Sequence, residues 1–525
     1  MSGPFDPEDL DPAEAQVPEL DEKVRRALGH ELDTEDDGTA ALAASGEFVG
    51  ADLDDPEFTE ATADLDDQDD LLAGPTAMTL GGVEEILNLR WPETMIEPSL
   101  DRIVRLLEMV DNPERVYPVI QVAGTNGKTS TARMIDALLS RIGLRTGRFT
   151  SPHLQKVTER ISIDSVPIDD RTYVDTYLEL APFIDLVDSA SAADDGVDLS
   201  KFEILTAMAY AAFAYAPVEV AVVEVGMGGR WDSTNAVDAQ VAVITPVGMD
   251  HTEYLGDDLE SIAGEKAGII KAGSTVVIGA QEPAAMEVIL RQAVAHDASV
   301  ARFDSEFSVI ARDVAVGGQK LTIQGLGGVY PEIFLPLHGE HQAQNAAVAL
   351  AAVEVFFGAG PGRQLDLTAV QDGFAAVASP GRLERVRTDP TVLIDAAHNP
   401  HGANALVVAL ADEFSFTKLI CVFAAMADKD VRGMLEVLGD AFDDFVITTN
   451  SSPRSMPLEE IADLAREILG EEKVHTAEHM EGAIALAVDL AEESAIETGG
   501  GAGIVVTGSV VSAGDARNLA GRNPQ

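Results

Sequence analysis

The stretch that decides the fold runs from residue 119 to residue 130 and reads VIQVAGTNGKTS. Four of its first five residues are apolar, which predicts a buried strand, and a helical pattern follows to about Arg141. Glycines between a strand and a helix let backbone N–H groups curl round phosphate oxygens, and the helix start adds partial positive charge. The order of strand, glycine loop and helix therefore predicts a phosphate-binding loop in a parallel α/β sheet.

The side chains of this loop fit a nucleoside triphosphate. Lys128 can reach the β- and γ-phosphates, and Thr129 can offer its hydroxyl to Mg²⁺. The fit is incomplete, because Val122 stands where the general nucleotide loop has its first glycine. A glycine turn before an ordinary helix is the alternative. We predict that ATP contacts the residues of this loop, which are Gly124, Thr125, Asn126, Gly127, Lys128, Thr129 and Ser130.

The remainder of the chain alternates between strand and helix patterns from about Thr79 onward, which is typical of βαβ units. The alternation restarts after Ser379-Pro380-Gly381. We predict an N-terminal P-loop ATPase domain with a parallel sheet over residues 79–375 and a smaller C-terminal Rossmann-like α/β domain over residues 376–525. The predicted strands are 119–123, 218–225, 241–245, 275–279, 392–395, 419–423, 445–449 and 504–507, and helices are predicted at 402–414, 430–438 and 457–469.

The charge of the chain is strongly acidic, with 35 basic and 90 acidic residues and a net charge of −55. Residues 1–76 contain 24 acidic and three basic residues, so we predict a disordered acidic extension over residues 1–78, with a short helix possible at 21–28. Such a field repels nucleic acid and anionic membranes, so neither is expected as a partner. The single cysteine, Cys421, excludes an internal disulfide, and the sequence pattern predicts a cytoplasmic protein.

Charged residues follow two further predicted strands at the end where α/β proteins bind ligands. Glu224 ends an apolar strand and precedes three glycines among four residues. A carboxylate there is costly unless it pairs with a cation, which indicates either a salt bridge or a metal site. Asp250-His251 follows the next strand, although Mg²⁺ prefers oxygen to imidazole ligands. Lys266, by its local pattern alone, is predicted to be a solvent-exposed helix lysine.

Several separated strings together resemble folylpolyglutamate synthases, which are often dihydrofolate synthases too, within the Mur-ligase superfamily. The resemblance covers residues 79–515. The strings are Gly124–Ser130, Thr150–Leu154, Glu159–Ile161, Glu224–Asn235, Gly264–Ile269, Ser379–Arg382 and Asp395–Pro400.

The resemblance implies roles that spacing alone leaves open. Ser151, Glu224 and His251 match positions that bind Mg²⁺, and Lys266 matches a lysine carried as a carbamate that ligates a second Mg²⁺. Asn345, Arg382, Asp395 and His398 match positions around the nucleotide or the reacting groups. The weakest implied sites are those for substrate: Trp91, Pro152 and His153 for the pterin, and Arg454 and Ser509 for glutamate.

The predicted function is an ATP-dependent amide ligase that adds L-glutamate to dihydropteroate and to (tetrahydro)folate. The implied route runs through an acyl phosphate and releases ADP and phosphate from a monomeric enzyme. One alternative is folylpolyglutamate synthase activity only. Another is a different Mur-type ligase, but residues 1–78 are too poor in apolar residues to form a nucleotide-sugar-binding domain. A nucleotide-gated binding protein without ligase activity is disfavoured by Asp395 and His398 in the second domain, and a P-loop kinase would leave that domain unexplained.

Overall fold

The computed structural model describes residues 78–91, 99–194, 196–498 and 501–525. The helix predicted at 21–28 lies outside this part of the chain. Among the described residues, no helix combines the length and apolarity that a membrane span requires.

The first half of the chain is built on a sheet of eight strands in the order β4-β3-β2-β5-β1-β6-β7-β8. Neighbours from β2 to β8 run parallel, whereas β3 and β4 form an antiparallel edge. The strands are β1 (Val119–Ala123), β2 (Thr146–Phe149), β3 (Ile161–Ile163), β4 (Val166–Pro167), β5 (Val220–Glu224), β6 (Val241–Ile244), β7 (Thr275–Ile278) and β8 (Ser299–Arg302).

A separate antiparallel sheet of three strands follows β8 in the chain, in the order β11-β10-β9. Its strands are β9 (Ser308–Ala315), β10 (Gly318–Gln324) and β11 (Val329–Leu335). The predicted parallel sheet is confirmed, and the unit also contains two antiparallel parts that the sequence analysis did not predict. The three strands mix buried and exposed positions with charged residues, so they lack the continuous apolar runs by which buried parallel strands are recognised.

Ten helices accompany these two sheets in the described residues, and we call this part of the molecule the phosphate-loop unit. The helices are α1 (Leu80–Asn88), α2 (Asp101–Met109), α3 (Lys128–Ile142), α4 (Asp170–Ala193), α5 (Lys201–Tyr215), α6 (Thr252–Leu255), α7 (Leu259–Lys266), α8 (Pro283–Ala295), α9 (Glu340–Phe356) and α10 (Leu367–Ala375).

The six-stranded sheet of the second half has the order β12-β13-β17-β14-β15-β16, and only β12 is antiparallel to its neighbour. We call this sheet and its helices the C-terminal unit. Its elements are β12 (Glu384–Thr388), β13 (Thr391–Ile394), α11 (Pro400–Glu413), β14 (Lys418–Phe423), α12 (Val431–Leu438), β15 (Asp444–Ile447), α13 (Leu458–Leu469), β16 (Val474–Thr476), α14 (Met480–Thr498), β17 (Ala502–Thr507) and α15 (Val510–Leu519).

Alternate residues of the central strands pack against helices on opposite faces of each sheet. Ile120 and Val122 join the core beneath α3 and α9, while Val119 joins the core beneath α2 and α5. Both faces of the first sheet are therefore covered at its centre, and the central strands β1, β5, β6 and β7 are mostly apolar. All eight predicted strands and all three predicted helices are confirmed within two residues of their bounds. The division at residues 375 and 376 stays a prediction, and it falls between α10 and β12.

Candidate active site

The backbone of the phosphate loop requires glycine at two positions. Gly124 has φ of 150° and Gly127 has φ of 84°, both in the region that favours glycine. A Cβ at Gly124 would overlap the hydroxyl of Thr245, and a Cβ at Gly127 would lie 2.6 Å from Asn345 Oδ1. The loop is thus pressed against β6 and α9, which fixes its curvature at the start of α3.

The loop side chains turn toward the end of the parallel sheet. Lys128 Nζ donates to the carbonyl of Thr125 at 3.1 Å, so the ammonium folds back over the loop. The Thr129 hydroxyl donates to Glu224 Oε1 at 2.8 Å. Thr125 anchors the loop through Gly248, since its Oγ1 lies 3.0 Å from both the carbonyl and the N–H of that residue.

Glu224 is 1% exposed at the end of β5. It accepts hydrogen bonds from Thr129 and from the Ser151 N–H, the latter at 3.3 Å, and no ion pair to it occurs within the described ranges. Burial raises its pKa, while nearby Lys128 and these hydrogen bonds oppose the rise. Of the two predicted roles, the structure does not supply the salt bridge. A buried carboxylate beside the Thr129 hydroxyl offers the oxygen donors that Mg²⁺ prefers.

Asp250 and His251 follow β6, as predicted, and His251 has φ of 51°. Lys429 of the C-terminal unit approaches both residues, with its Nζ 3.2 Å from Asp250 Oδ1 and 3.4 Å from His251 Nε2. Burial lowers the pKa of His251 to about 4 and outweighs the opposing charge of Asp250. The imidazole is therefore neutral at pH 7, as a metal ligand must be.

Lys266 ends α7 and is only 5% exposed, so the prediction of a solvent-exposed lysine from its local pattern is wrong. Its neighbours in the chain, Gly264-Glu265 and Ala267-Gly268, carry no local signal of burial; the packing of α7 against the sheet buries it. Desolvation, with Lys128 nearby, lowers the pKa of the Lys266 ammonium to about 7. A substantial fraction of this amine is therefore unprotonated near neutral pH.

Asp395 and His398 lie just after β13 of the C-terminal unit. Asp395 accepts from the backbone N–H groups of Leu383 at 3.0 Å and Ala397 at 2.9 Å; burial raises its pKa, opposed by Arg382. His398 Nδ1 donates to the carbonyl of Ala396 at 3.0 Å, which leaves Nε2 as the acceptor. Burial lowers the pKa of His398 to about 4. The pair thus presents one carboxyl group and one neutral imidazole.

Asn345, on α9, touches the loop from behind. Its side chain faces Gly127 and donates to Gln342 at 3.2 Å, and Gln342 reaches the Ser130 hydroxyl at 3.4 Å. The Ser130 hydroxyl also lies 3.2 Å from that of Ser379, which precedes Arg382 in the chain. These contacts connect the loop to the segment that joins the two units.

The residues predicted for the pterin divide between two places. Pro152 and His153 line a pocket between the units, together with Thr129, Arg133, Glu159 and Arg382. Arg160 Nε donates to His153 Nδ1 at 3.0 Å, and burial lowers the pKa of His153 to about 3, so its Nε2–H is the free donor. Trp91 lies against Arg102, whose guanidinium carbon is 5.8 Å from the ring centroid. Trp91 is absent from the residues that line the pocket.

The two residues predicted for glutamate differ in their freedom to bind it. Arg454 is half-exposed and faces Asp428 at 3.6 Å, so its guanidinium is accessible. Ser509 is buried, caps α15 through the Ser512 N–H at 2.9 Å and is also bonded to Asn450 at 3.2 Å. Its hydroxyl already has a complete structural role. Both assignments stay predictions.

Sequence reasoning did not assign Asn399 and Lys429 to the site. Asn399 exchanges hydrogen bonds of 3.3 Å with Asn126 of the phosphate loop, and it also donates to Asp250 at 3.1 Å. Both residues follow strands of the C-terminal sheet, β13 and β14, at the end where ligands gather in α/β proteins. That rule was the available signal, but it does not say which strand ends of the two units meet.

The phosphate loop, a buried carboxylate, and a second α/β unit that closes over both define a Mur-type ATP-dependent ligase. The chain matches the Mur ligase middle domain over residues 199–353 and the Mur ligase glutamate ligase domain over residues 381–510.

Similarity to individual proteins narrows this class. The chain is 57% identical to the dihydrofolate synthase/folylpolyglutamate synthase of Mycobacterium tuberculosis, over 84% of this chain and 94% of that protein. It is 34% identical to the Bacillus subtilis enzyme of the same name, over 65% of this chain and 79% of that protein. The structure of M. tuberculosis folylpolyglutamate synthase complexed with ADP and AMPPCP superposes with a TM-score of 0.81 at 56% identity. The match covers 85% of this chain and 99% of that one. The chain belongs to the dihydrofolate synthase/folylpolyglutamate synthase family.

Proposed function

We propose that this enzyme uses ATP to join the amino group of L-glutamate to the carboxylate of dihydropteroate and of reduced folates. The observation that carries the proposal is the meeting of the two units at the phosphate loop. Asn126 of the loop bonds to Asn399, and Asn399 directly follows His398 in the chain. ATP held by the loop would therefore face the half-buried Asp395 and the neutral His398.

The first step activates the acceptor carboxylate, whose oxygen is otherwise a poor leaving group. One carboxylate oxygen attacks the γ-phosphorus, the bond from that phosphorus to the bridging oxygen breaks, and ADP departs with the electron pair. The product is an acyl phosphate. Lys128 and the N-terminus of α3 stabilise negative charge on the transferring phosphoryl group, and Arg382, which lines the pocket together with Thr129, would do the same.

In the second step the glutamate amine attacks the acyl carbon, and the C–O bond to phosphate breaks. The nitrogen must lose a proton, which neutral His398 can accept at Nε2 because its Nδ1–H is held by the Ala396 carbonyl. Asp395 is fixed by two backbone N–H groups, and the positive charge of Arg382 favours its carboxylate form. Closure of the units excludes water, which would otherwise hydrolyse the acyl phosphate.

The residues of the phosphate-loop unit fit Mg²⁺. No group of three or more His, Cys, Asp or Glu suited to a metal occurs among the described residues. This agrees with Mg²⁺ chemistry, since one or two carboxylates plus the substrate phosphates usually hold the ion. We propose Glu224, Thr129, Ser151 and His251 as its protein contacts. Bound there, Mg²⁺ would neutralise charge on the phosphates.

We propose that Lys266 is carbamylated and contributes to a second Mg²⁺ site. Carbamylation requires an unprotonated amine, and the lowered pKa of about 7 provides one. The ammonium first loses one proton, and the neutral amine then forms an N–C bond with CO₂ and releases a second proton, so a buried cation becomes an anion. That exchange suits the position, because Lys128 lies near enough to disfavour a second positive charge.

We further propose that the pocket accepts both dihydropteroate and a folate. The two carboxylates lie at different distances from the pterin, so the ring must sit at different depths when each carboxylate reaches the γ-phosphate. We also propose a monomer. The cytoplasmic location stays a prediction from the sequence.

Steady-state ADP release with dihydropteroate and with tetrahydrofolate, each with and without L-glutamate at saturating ATP, tests the proposal. We expect glutamate-dependent ADP release with both acceptors. Release with tetrahydrofolate alone would reduce the activity to folylpolyglutamate synthesis. No glutamate-dependent release with either acceptor would contradict the proposed function.

A further inference from the structure

Gln155 follows the segment Ser151–Leu154, which carries a proposed metal contact and part of the pocket. The side chain of Gln155 is held by the C-terminal unit. Its Oε1 accepts from Arg517 Nε at 3.0 Å, and its Nε2 donates to Asn518 Oδ1 at 2.8 Å and to the Arg522 carbonyl at 2.7 Å. These three hydrogen bonds all cross from one unit to the other.

The partner of Gln155 is itself firmly fixed. Arg517, on α15, is 1% exposed, pairs with Glu384 and donates to the Asn523 carbonyl at 2.7 Å. A buried guanidinium is tolerated only when its donors are satisfied, so the ring of contacts holds it in one place. Any displacement of Gln155 relative to α15 would break part of this network.

The same segment is anchored to its own unit on its other side. The N–H groups of Leu154, Gln155 and Lys156 all donate to the Glu159 carboxylate, at 2.9, 3.1 and 3.0 Å. The Ser151 N–H donates to Glu224 at 3.3 Å. The segment is therefore a short bridge between the buried carboxylate of the proposed active site and the C-terminal helix.

Backbone contact adds to the side-chain contact at this joint. Gly514 of α15 lies so close to Leu154 that an added Cβ would overlap the Leu154 carbonyl oxygen. Gly482, in α14 of the same unit, provides a matched control. It is a helical glycine too, but the nearest atom to an added Cβ is Ala477 Cβ at 3.9 Å. Only one of these two glycines is required by the joint.

We propose that Gln155 and α15 form a positioning joint, through which docking of the C-terminal unit sets the placement of the segment Ser151–Leu154. Gln155 and Gly514 would act on the acceptor through this segment, without touching the reactants. The inference rests on the proposed function only in placing the acceptor in the pocket beside Pro152 and His153. The joint itself is independent of the reaction.

The first test introduces a side chain between α15 and Leu154. Gly514→Ala should lower kcat/KM for tetrahydrofolate about tenfold or more, because a displacement of about 1 Å at a reacting group is costly. The KM for ATP should stay within about twofold, since Thr125 anchors the phosphate loop within its own unit. Gly482→Ala should behave as the wild type. Wild-type kcat/KM in a folded Gly514→Ala protein would overturn the proposal.

The second test measures coupling between two side chains. Gln155→Ala should lower kcat/KM for tetrahydrofolate about tenfold, and Asn518→Ala about threefold. The double variant should be no worse than Gln155→Ala, since each loses the same hydrogen bond. Gln371→Ala, which removes a 3.0 Å hydrogen bond to the Pro331 carbonyl within the phosphate-loop unit, should leave kcat/KM unchanged. A multiplicative loss in the double variant would contradict the joint.

Hydrogen–deuterium exchange of a peptide spanning residues 150–160 provides a readout without catalysis. We expect faster exchange in Gly514→Ala and Gln155→Ala, and unchanged exchange in Gly482→Ala and Gln371→Ala. Unchanged exchange in all four variants would overturn the joint even if activity fell. If the wild-type protein released no ADP with any acceptor, the proposed function would fail. The exchange measurement would still show whether Gln155 and α15 hold the segment in place.

Discussion

Asn399 Nδ2 lies 3.1 Å from Asp250 Oδ2, across the boundary between the two units. The other oxygen of this carboxylate faces Lys429 Nζ at 3.2 Å. One acidic side chain from the phosphate-loop unit thus holds two groups of the C-terminal unit beside His251. Burial disfavours the charged form of Asp250, but His251, Lys429 and His398 together hold the pKa of this carboxyl group below its usual range.

Asp250→Asn should lower turnover about tenfold or more, with ADP affinity unchanged, because the amide loses the charge that retains Lys429. The matched control is Asp444→Asn. Asp444 also contacts a lysine and a histidine, Lys418 at 2.6 Å and His475 at 3.3 Å, but both lie within the C-terminal unit. Equal losses of turnover in the two variants would show that Asp250 has no special role in joining the units.

Lys128→Ala should lower turnover on the order of 10²-fold or more, because the ammonium over the phosphate loop would be lost. Lys320→Ala removes a surface lysine paired with Glu332 and should leave turnover unchanged. Circular dichroism would verify that both variants fold. Near-normal turnover in a folded Lys128→Ala enzyme would defeat the assignment of this lysine to the phosphates.

Lys266→Ala should be nearly inactive, and Lys266→Glu should recover part of the activity by restoring an anion. Because the pKa of Lys266 is about 7, protonation blocks carbamylation as the pH falls below 7, and the wild type should then depend more strongly on added bicarbonate. Carbon-13 NMR in labelled bicarbonate should detect a carbamate that Lys266→Ala lacks. A fully active wild type without this signal would exclude the modification.

His341 should make the protein less stable in mild acid. Burial, with Arg382, Arg312 and His401 nearby, lowers its pKa from 6.5 to about 4, although Glu413 opposes the change. The unfolded chain therefore binds the proton first, and this stability is complete above pH 6.5 and lost as the pH falls toward 4.

Urea unfolding at pH 7 and pH 5 checks this expectation. The free energy of unfolding of the wild type should decrease from pH 7 to pH 5. In His341→Gln this decrease should be smaller by on the order of 1 kcal/mol, after allowance for partial solvent screening. Equal pH dependence in the two proteins would mean that His341 titrates normally in the folded state.

Removal of residues 1–76 should leave kcat/KM within about tenfold of the full-length value, a change of less than about 1.4 kcal/mol in transition-state stabilisation. The reason is compositional, since this segment contains 24 acidic residues and no motif of the ligase. Activity assays on the full-length and shortened chains at equal ionic strength would decide. A larger loss would assign the acidic segment a part in catalysis.

The sequence by itself determined the phosphate loop, the alternation of strands and helices, and the charged residues at strand ends. Each of these depends on local physics: the backbone freedom of Gly124 and Gly127, and apolar runs that both faces of a covered sheet require. The same logic located Glu224, His251, Asp395 and His398 at the ends of strands.

Only the tertiary structure decided which of these ends meet. Lys266 looks like a surface lysine in its own helix and is buried by distant packing. Asn399 contacts Asn126 across 273 positions of the chain, and Gln155 contacts Arg517 across 362. Neither pairing leaves a local pattern, because the docking of two independently patterned sheets is set by contacts between side chains far apart in the sequence.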